Sequence, residues 1–216
     1  MQLSRLEFGA LLSYSPRGDS SLIQNSKNLM TALKTDQFVG NPKIPMSQWI
    51  ADTIGRNKSA LPFFTFFKST AILVPTPSSS LMKADSLWIP ERLAAALVGT
   101  GLGKEVARCL TRVEPVPKAA LSEPKDRPTA AQHYATMSIQ GSLSKPDEIV
   151  LIDDVVTRGA TLLGAANRLV DAFPGTPIRA FAAMRTISNP AEFENWYTPC
   201  VGTIELRESG DTLRRP

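Results

Sequence analysis

The sequence has few of the side chains that build metal and disulfide sites. Its 216 residues include two cysteines, Cys109 and Cys200, and one histidine, His133. Two cysteines so far apart cannot form a disulfide framework, and with a single histidine they cannot supply the four ligands of a structural zinc site. We therefore expect a reducing compartment and a protein whose stability comes from one substantial hydrophobic core.

Long hydrophobic runs are also lacking. No apolar stretch approaches the roughly 18 residues that a membrane-crossing helix needs. Glu7 interrupts the short apolar patch near the first residues, and no small-residue cleavage site follows it. These features predict a cytoplasmic protein that is neither exported nor in contact with a membrane.

The charge pattern and the glycine spacing exclude several nucleotide-binding classes. The net charge is +4, but lysine and arginine are scattered without a block of five or six, so nucleic acid binding stays open and is only weakly supported. The stretch GLGKE (101–105) lacks the spacing and the hydroxyl of a phosphate-binding P-loop. A dinucleotide-binding fingerprint is missing as well.

Hydrophobic periodicity predicts an α/β fold with a mostly parallel central sheet flanked by helices. Short apolar runs that predict strands alternate with amphipathic segments that predict helices. The main predicted strands are 71–75, 105–113, 149–153 and 178–187, and the main predicted helices are 20–34, 46–56, 89–101 and 160–173. We predict a helical N-terminal hood over residues 1–68, an α/β domain over 69–208 and a flexible tail over 209–216.

The stretch IVLIDDVVTRGAT (149–161) carries the functional information. Asp153 and Asp154 end an apolar strand, at the edge of a parallel sheet where ligands bind. The following loop leads into a helix, whose free N–H groups and dipole suit a phosphate. Gly159 allows close backbone approach, and the hydroxyls of Thr157 and Thr161 can donate to phosphate oxygens. Because carboxylates accept hydrogen bonds from sugar hydroxyls, a ribose 5-phosphate satisfies both halves of the motif.

These residues resemble the signature of the type I phosphoribosyltransferases: an apolar strand, two acids, four variable residues, then glycine and threonine. Weaker similarity to the ComF-like branch extends over roughly residues 8 to 187. It is carried by LLSYSPRG (11–18), ILVPTPSSS (72–80), KAALSEPKDRPTAAQHYATMSI (118–139) and FAAMRT (181–186). The cysteine-rich zinc module that precedes many ComF proteins is missing.

The resemblance implies an enzyme that binds 5-phosphoribosyl 1-pyrophosphate, transfers the phosphoribosyl group to a nitrogenous acceptor and releases pyrophosphate. Mg²⁺ would be held mainly by the pyrophosphate, with no direct protein ligand. The residues that it assigns are Asp153 and Asp154 for ribose and catalysis; Thr157, Arg158, Gly159, Ala160 and Thr161 for the 5-phosphate; Ser78, Ser79, Ser80 and Lys83 for pyrophosphate; Lys118, Lys125 and Arg127 on a closing loop; and Arg185 on the acceptor side.

Departures from the family pattern keep other functions open. Arg158 adds a cation to the phosphate loop, and Lys83 is the one obvious cation between the pyrophosphate loop and Arg92. Weak pyrophosphate contacts favour a non-catalytic nucleotide-binding regulator, or a ComF-like factor in DNA uptake or processing. A receiver domain also has paired acids after a strand, but they usually lie near its start. The acceptor is not revealed, and a homodimer remains open.

Overall fold

A seven-stranded, mostly parallel β-sheet organises the part of the chain that the computed structural model describes, which is residues 1–81, 86–117, 126–141 and 144–216. The strands are β1 (Arg5–Tyr14), β2 (Phe38–Val39), β3 (Ile44–Pro45), β4 (Ile72–Pro75), β5 (Glu105–Val106), β6 (Leu110–Arg112), β7 (Met137–Ile139), β8 (Ile149–Val156), β9 (Ile178–Thr186), β10 (Tyr197–Leu206) and β11 (Thr212–Arg215). The helices are α1 (Ser21–Lys34), α2 (Met46–Arg56), α3 (Ile89–Gly99), α4 (Ala130–Ala135) and α5 (Ala160–Ala172).

The strand order of the sheet is β11-β10-β1-β9-β8-β4-β5. The neighbours from β1 through to β5 run parallel, whereas β10 and β11 are antiparallel additions at one side. Parallel strands end at the same edge, so the segments that follow β1, β4, β8 and β9 meet there. The sheet therefore confirms the predicted α/β class and defines one edge as the place for a site.

Both faces of the sheet are covered by hydrophobic side chains. The first four residues of β8 are fully buried, as expected for an interior parallel strand. On one face, Phe63 and Phe67 pack on Phe181 with ring centroids 5.2 Å from it in each case. The other face is covered mainly by α5, whose Leu163 is inaccessible to solvent. The phenylalanines around residue 65 thus belong mainly to the core.

The N-terminal region is joined to the sheet more closely than a helical hood predicts. Residues 5–14 form β1, which lies between β9 and β10 inside the sheet. Beyond β1, helices α1 and α2 and the small β2–β3 hairpin cover one face. The sequence did not predict this strand. The alternation of charged and apolar residues that marks a strand covers only the first four residues, from Arg5, and an uninterrupted run of small and apolar residues follows.

Two further segments differ from the sequence prediction. The segment 105–113 is divided into β5, an edge strand of the main sheet, and β6, which pairs with β7 in a separate hairpin. The predicted flexible tail is wrong for residues 212–215, because β11 pairs with β10. No helix in the described ranges is long and apolar enough to cross a membrane.

Gly164 lies where α5 packs tightly on α4. A Cβ built there would lie 2.6 Å from the carbonyl oxygen of Ala130 and 2.7 Å from His133 Cβ. We therefore expect Gly164→Ala to lower the free energy of unfolding by about 1–3 kcal/mol, because the helices must separate. Denaturant unfolding measures this change.

Gly55 in α2 provides the matched control, since a Cβ built there meets nothing within 4 Å. Gly55→Ala should raise stability by about 0.5–1 kcal/mol through helix propensity alone. Equal effects of the two substitutions would contradict the close α4–α5 contact.

Candidate functional site

A cavity of about 350 Å³ opens at the carboxyl edge of the sheet. Its wall includes Asp153 on β8 and the loop from Thr157 to Thr161 that enters α5. The end of β1 and the segment after it contribute Tyr14 and Arg17. The structure thus brings one of the two predicted acids and the whole predicted phosphate loop into a single cavity.

Asp153 is held in place from two sides. Its Oδ1 accepts a hydrogen bond from the Thr76 hydroxyl at 2.9 Å and one from the Asp154 N–H at 2.9 Å. Burial, together with the neighbouring Asp154 charge, raises the pKa of the Asp153 carboxyl to about 7, against the opposing effects of Lys34 and of the two hydrogen bonds. Because of this raised pKa, ionising the Asp153 carboxyl costs free energy in the folded protein.

Asp154 has a different environment, because successive side chains of a strand point to opposite faces. Its Oδ2 accepts a hydrogen bond from Lys34 Nζ at 2.7 Å, and its Oδ1 accepts one from the Val155 N–H. Burial alone would lower the pKa of Lys34, but the two carboxylates outweigh burial and raise it. Asp154 is not among the residues that line the cavity. It ties α1 to β8.

The start of α5 has the backbone geometry of an anion site. Gly159 has a φ of 87°, in the left-handed region, and a Cβ built there would lie 2.5 Å from Ile204 Cδ1. The first bond of the helix runs from the Leu163 N–H to the Gly159 carbonyl, and no side chain caps the helix. The N–H groups of Ala160 and Thr161 therefore have no hydrogen-bond partner among the described residues, and the helix dipole points at the cavity.

The C-terminal hairpin supports this loop from behind. Arg158 Nη1 forms an ion pair with Asp211 at 2.8 Å, so the additional cation is partly neutralised. Arg214 Nε donates to the Thr157 carbonyl at 2.7 Å, and the hydroxyls of Thr157 and Thr186 lie 3.0 Å apart. The contacts of Asp211 and Arg214 were not predicted, because they come from a segment that was expected to be a tail.

A buried polar chain fixes the hydroxyl of Thr161. Arg112 Nη2 lies 3.2 Å from His133 Nδ1, and His133 Nε2 lies 3.3 Å from Thr161 Oγ1. Since arginine only donates, His133 accepts at Nδ1 and carries its proton at Nε2. The Thr161 hydroxyl oxygen accepts a hydrogen bond from that Nε2–H, which leaves its own hydrogen free for a ligand in the cavity.

His133 is a neutral side chain in this chain of hydrogen bonds. Burial lowers its pKa to about 4, and the Arg112 charge adds to the effect. Burial also lowers the pKa of Arg112 to about 10. His133 therefore orients Thr161 and is a poor base at neutral pH. The sequence did not predict that His133 links Arg112 to Thr161, because a single histidine forms no recognisable motif.

The three predicted pyrophosphate serines line neither described cavity. Ser78, Ser79 and Ser80 follow β4, whose last residue pairs with Ile152. The Ser78 carbonyl accepts a hydrogen bond from Arg112 Nε at 3.0 Å, and the Ser79 carbonyl accepts one from the Val116 N–H at 2.9 Å. The loop of Ser78, Ser79 and Ser80 is thus tied to Val116, which lies two residues before Lys118 of the predicted closing loop.

The remaining predicted residues divide into three groups. Arg127 lines the cavity beside the phosphate loop. Arg185 lies at the end of β9 and lines a second, neighbouring cavity instead. Lys83, Lys118 and Lys125 lie outside the described residues.

Within the described ranges, no group of three or more His, Cys, Asp or Glu side chains could hold a metal ion. The chain matches no known family model, and the search of curated proteins also finds no match.

The environment of Asp153 predicts a pH-dependent stability. Because its pKa is raised on folding, the folded state binds more protons than the unfolded state between about pH 4 and 7. Stability therefore falls as pH rises through this window. Asp153→Asn should remove the ionised carboxyl, keep the acceptor for Thr76 and stabilise the protein at pH 8 by about 1–2 kcal/mol.

Thermal unfolding from pH 5 to pH 8 measures this effect, as a rise in Tm of roughly 2–8 °C that shrinks toward pH 5. Asp147→Asn is the matched control, because Asp147 is exposed just before the other end of β8. A destabilised Asp153→Asn protein at pH 8 would show that the carboxylate stabilises the fold and would contradict the raised pKa.

Proposed function

We propose that the protein binds 5-phosphoribosyl 1-pyrophosphate with Mg²⁺ and transfers its phosphoribosyl group to a nitrogenous acceptor, with release of pyrophosphate. The observation that carries the proposal is the single cavity that Asp153 shares with the uncapped start of α5. The resemblance of residues 149–161 to type I phosphoribosyltransferases names the ligand that suits both parts.

The phosphate end of the ligand fits the loop from Thr157 to Thr161. The N–H groups at the start of α5 and the oriented Thr161 hydroxyl supply donors, and the helix dipole favours a dianion. Arg17 and Arg127 add positive charge to the wall of the same cavity. A carboxylate ligand would use the same donors, but it would leave Asp153 without a partner.

The sugar end fits Asp153. An ionised carboxylate accepts hydrogen bonds from two neighbouring hydroxyls, which is the pattern of a ribose 2,3-diol. Transfer at the anomeric carbon builds positive charge on the ribose as pyrophosphate leaves. Asp153, oriented by the Asp154 N–H, stabilises this charge, whereas the Asp154 carboxylate is paired with Lys34 outside the cavity wall.

Mg²⁺ fits this site as a part of the substrate. Among the described residues, Asp153 is the one carboxylate in the cavity wall, and no cluster of metal ligands is found. The ion would be coordinated by the pyrophosphate and would supply charge neutralisation of the leaving group. The protein's contribution is to place the ribose and its 5-phosphate.

A non-catalytic nucleotide-binding regulator is the second candidate. The loop of Ser78, Ser79 and Ser80 favours this candidate, because it lines neither described cavity. The carbonyls of Ser78 and Ser79 accept hydrogen bonds from Arg112 and from the Val116 N–H. A regulator of this kind would keep the ribose 5-phosphate site and bind without turnover.

Calorimetric titration with 5-phosphoribosyl 1-pyrophosphate tests the pocket that both candidates share. We expect metal-dependent binding by the wild type. Asp153→Asn should weaken it about 10- to 100-fold, because a charged hydrogen-bond acceptor is lost. Thr161→Val should weaken it about 3- to 10-fold through the loss of one donor to the phosphate.

Asp147→Asn, the same change of charge at an exposed position, should bind as the wild type does. Equal affinity of the Asp153→Asn and wild-type proteins would refute the proposed site. Pyrophosphate release in the presence of candidate bases then separates the two functions: turnover that Asp153→Asn loses supports the transferase, and tight binding without turnover supports the regulator.

A further inference from the structure

Arg112, at the end of β6, donates hydrogen bonds to three acceptors at once. Its Nε donates to the Ser78 carbonyl at 3.0 Å, its Nη1 to the Thr136 hydroxyl at 2.7 Å and its Nη2 to His133 Nδ1 at 3.2 Å. The exposed fraction is 7% for Arg112 and 5% for His133. The guanidinium is therefore a buried fork whose orientation is fixed by three elements.

The charge of this fork is not neutralised by the protein. Arg112 belongs to no ion pair among the described residues. Burial lowers its pKa to about 10. A buried cation bonded only to neutral groups costs free energy. An anion on Thr161 in the first cavity would bring negative charge near it, because His133 alone separates Arg112 from Thr161 in the chain of hydrogen bonds.

One branch of the fork leads to the first cavity. His133 and Thr161 both line that cavity, whereas Arg112 does not. A phosphate that accepts from the Thr161 O–H polarises the Thr161 oxygen, which then accepts more strongly from His133 Nε2–H. The His133 ring becomes a better acceptor for Arg112 in turn, since consecutive hydrogen bonds of one chain strengthen one another.

The other branch leads to the serine loop, which is Ser78, Ser79 and Ser80 after β4. The carbonyl and the N–H of one trans peptide point in opposite directions. Because Arg112 holds the Ser78 carbonyl, the Ser79 N–H points away from Arg112. This N–H has no hydrogen-bond partner among the described residues, and Ser79 is half-buried. It is a donor that an anion at the serine loop can use.

We propose that Arg112 is a positioning residue that couples the start of α5 to the serine loop. An anion on Thr161 fixes the guanidinium through His133, and the guanidinium fixes the peptide between Ser78 and Ser79. One side chain thus orients a donor for each end of a substrate that carries two phosphate groups. The assignment of the serine loop to pyrophosphate rests on the proposed function, whereas the coupling itself is tested without that assignment.

The backbone amide resonance of Ser79 measures the coupling, because Ser79 lies outside the first cavity. The wild-type protein is titrated with sodium phosphate at constant ionic strength, and the amide resonances of Ala160 and Thr161 report binding at the start of α5. We expect all three resonances to shift with one dissociation constant. Saturation of Ala160 and Thr161 without a shift of Ser79 would overturn the coupling and leave the phosphate site intact.

His133→Asn interrupts the path at one bond. The asparagine oxygen replaces Nδ1 as the acceptor for Arg112, but the shorter side chain does not reach Thr161. Phosphate should still shift the Ala160 resonance, with an affinity about 3- to 10-fold weaker, while the Ser79 resonance stays in place at saturation. A Ser79 shift that persists in this variant would show direct binding of phosphate to the serine loop and would overturn the coupling.

A double-mutant cycle tests whether His133 acts through Thr161. Calorimetric titration with phosphate compares the wild type, His133→Asn, Thr161→Val and the double variant. His133→Asn should cause no further loss of affinity in the Thr161→Val protein, because the hydroxyl that it orients is already missing. Losses that multiply in the double variant would overturn the path through His133.

Arg112→Lys separates the fork from its charge. A lysine ammonium keeps the charge but lacks the planar geometry that joins three acceptors, so the Ser79 response to phosphate should be lost. Arg56→Lys, the same change at an exposed position of α2, should keep the response. A full Ser79 response in Arg112→Lys would contradict the positioning role. If phosphate shifts neither Ala160 nor Thr161 in the wild type, the phosphate site of the proposed function is refuted together with the coupling.

Discussion

The carboxylates of Asp153 and Asp154 are adjacent in sequence, and the structure around them keeps the two negative charges apart. The alternation of a strand sends them to opposite faces. Lys34 reaches Asp154 from α1, so that charge is neutralised within the protein. Asp153 has hydrogen bonds from Thr76 and from the backbone, and no described cation is bonded to it. It is therefore the carboxylate that a ligand can use.

This arrangement makes the ionised form of Asp153 costly in the folded protein. Burial raises its pKa, which means that folding works against the charge that sugar binding needs. A destabilised ionisable group at the wall of a cavity is typical of functional sites, although ion-pair networks also perturb pKa values. The structural role of the acidic pair falls to Asp154, through its contact with α1.

The positive end of the α5 dipole and the Asp153 carboxyl lie at different parts of the same sheet edge. The uncapped start of α5 faces the first cavity, and the β10–β11 hairpin fixes its loop through Asp211 and Arg214. Arg112, His133 and Thr161 connect the serine loop after β4 to the start of α5. The phosphate loop is thus held by two elements that are distant in sequence, which favours a preorganised site.

The elements with strong local patterns could be predicted from sequence. The apolar run of β8 and the buried β4 predicted the fold class, and the glycine before α5 predicted where the helix begins. The strand β11 could not be predicted, since its polar residues are ordered by pairing with β10. The different environments of Asp153 and Asp154 depend on Lys34, which is 120 residues away from Asp154 in the chain.

The contacts of Arg214 have the same non-local origin. Its bonds to the carbonyls of Thr157 and Thr186 join segments that are 57 and 28 residues apart. The side-chain order around the phosphate loop is thus a property of the tertiary structure, and a local motif does not contain it.

A crystal structure of the protein with ribose 5-phosphate tests the central claim most directly. We expect the phosphate oxygens within hydrogen-bond distance of the N–H groups of Ala160 and Thr161, and the ribose hydroxyls on the Asp153 carboxylate. A ligand bound with its phosphate away from the start of α5, or with its hydroxyls away from Asp153, would contradict the proposed site.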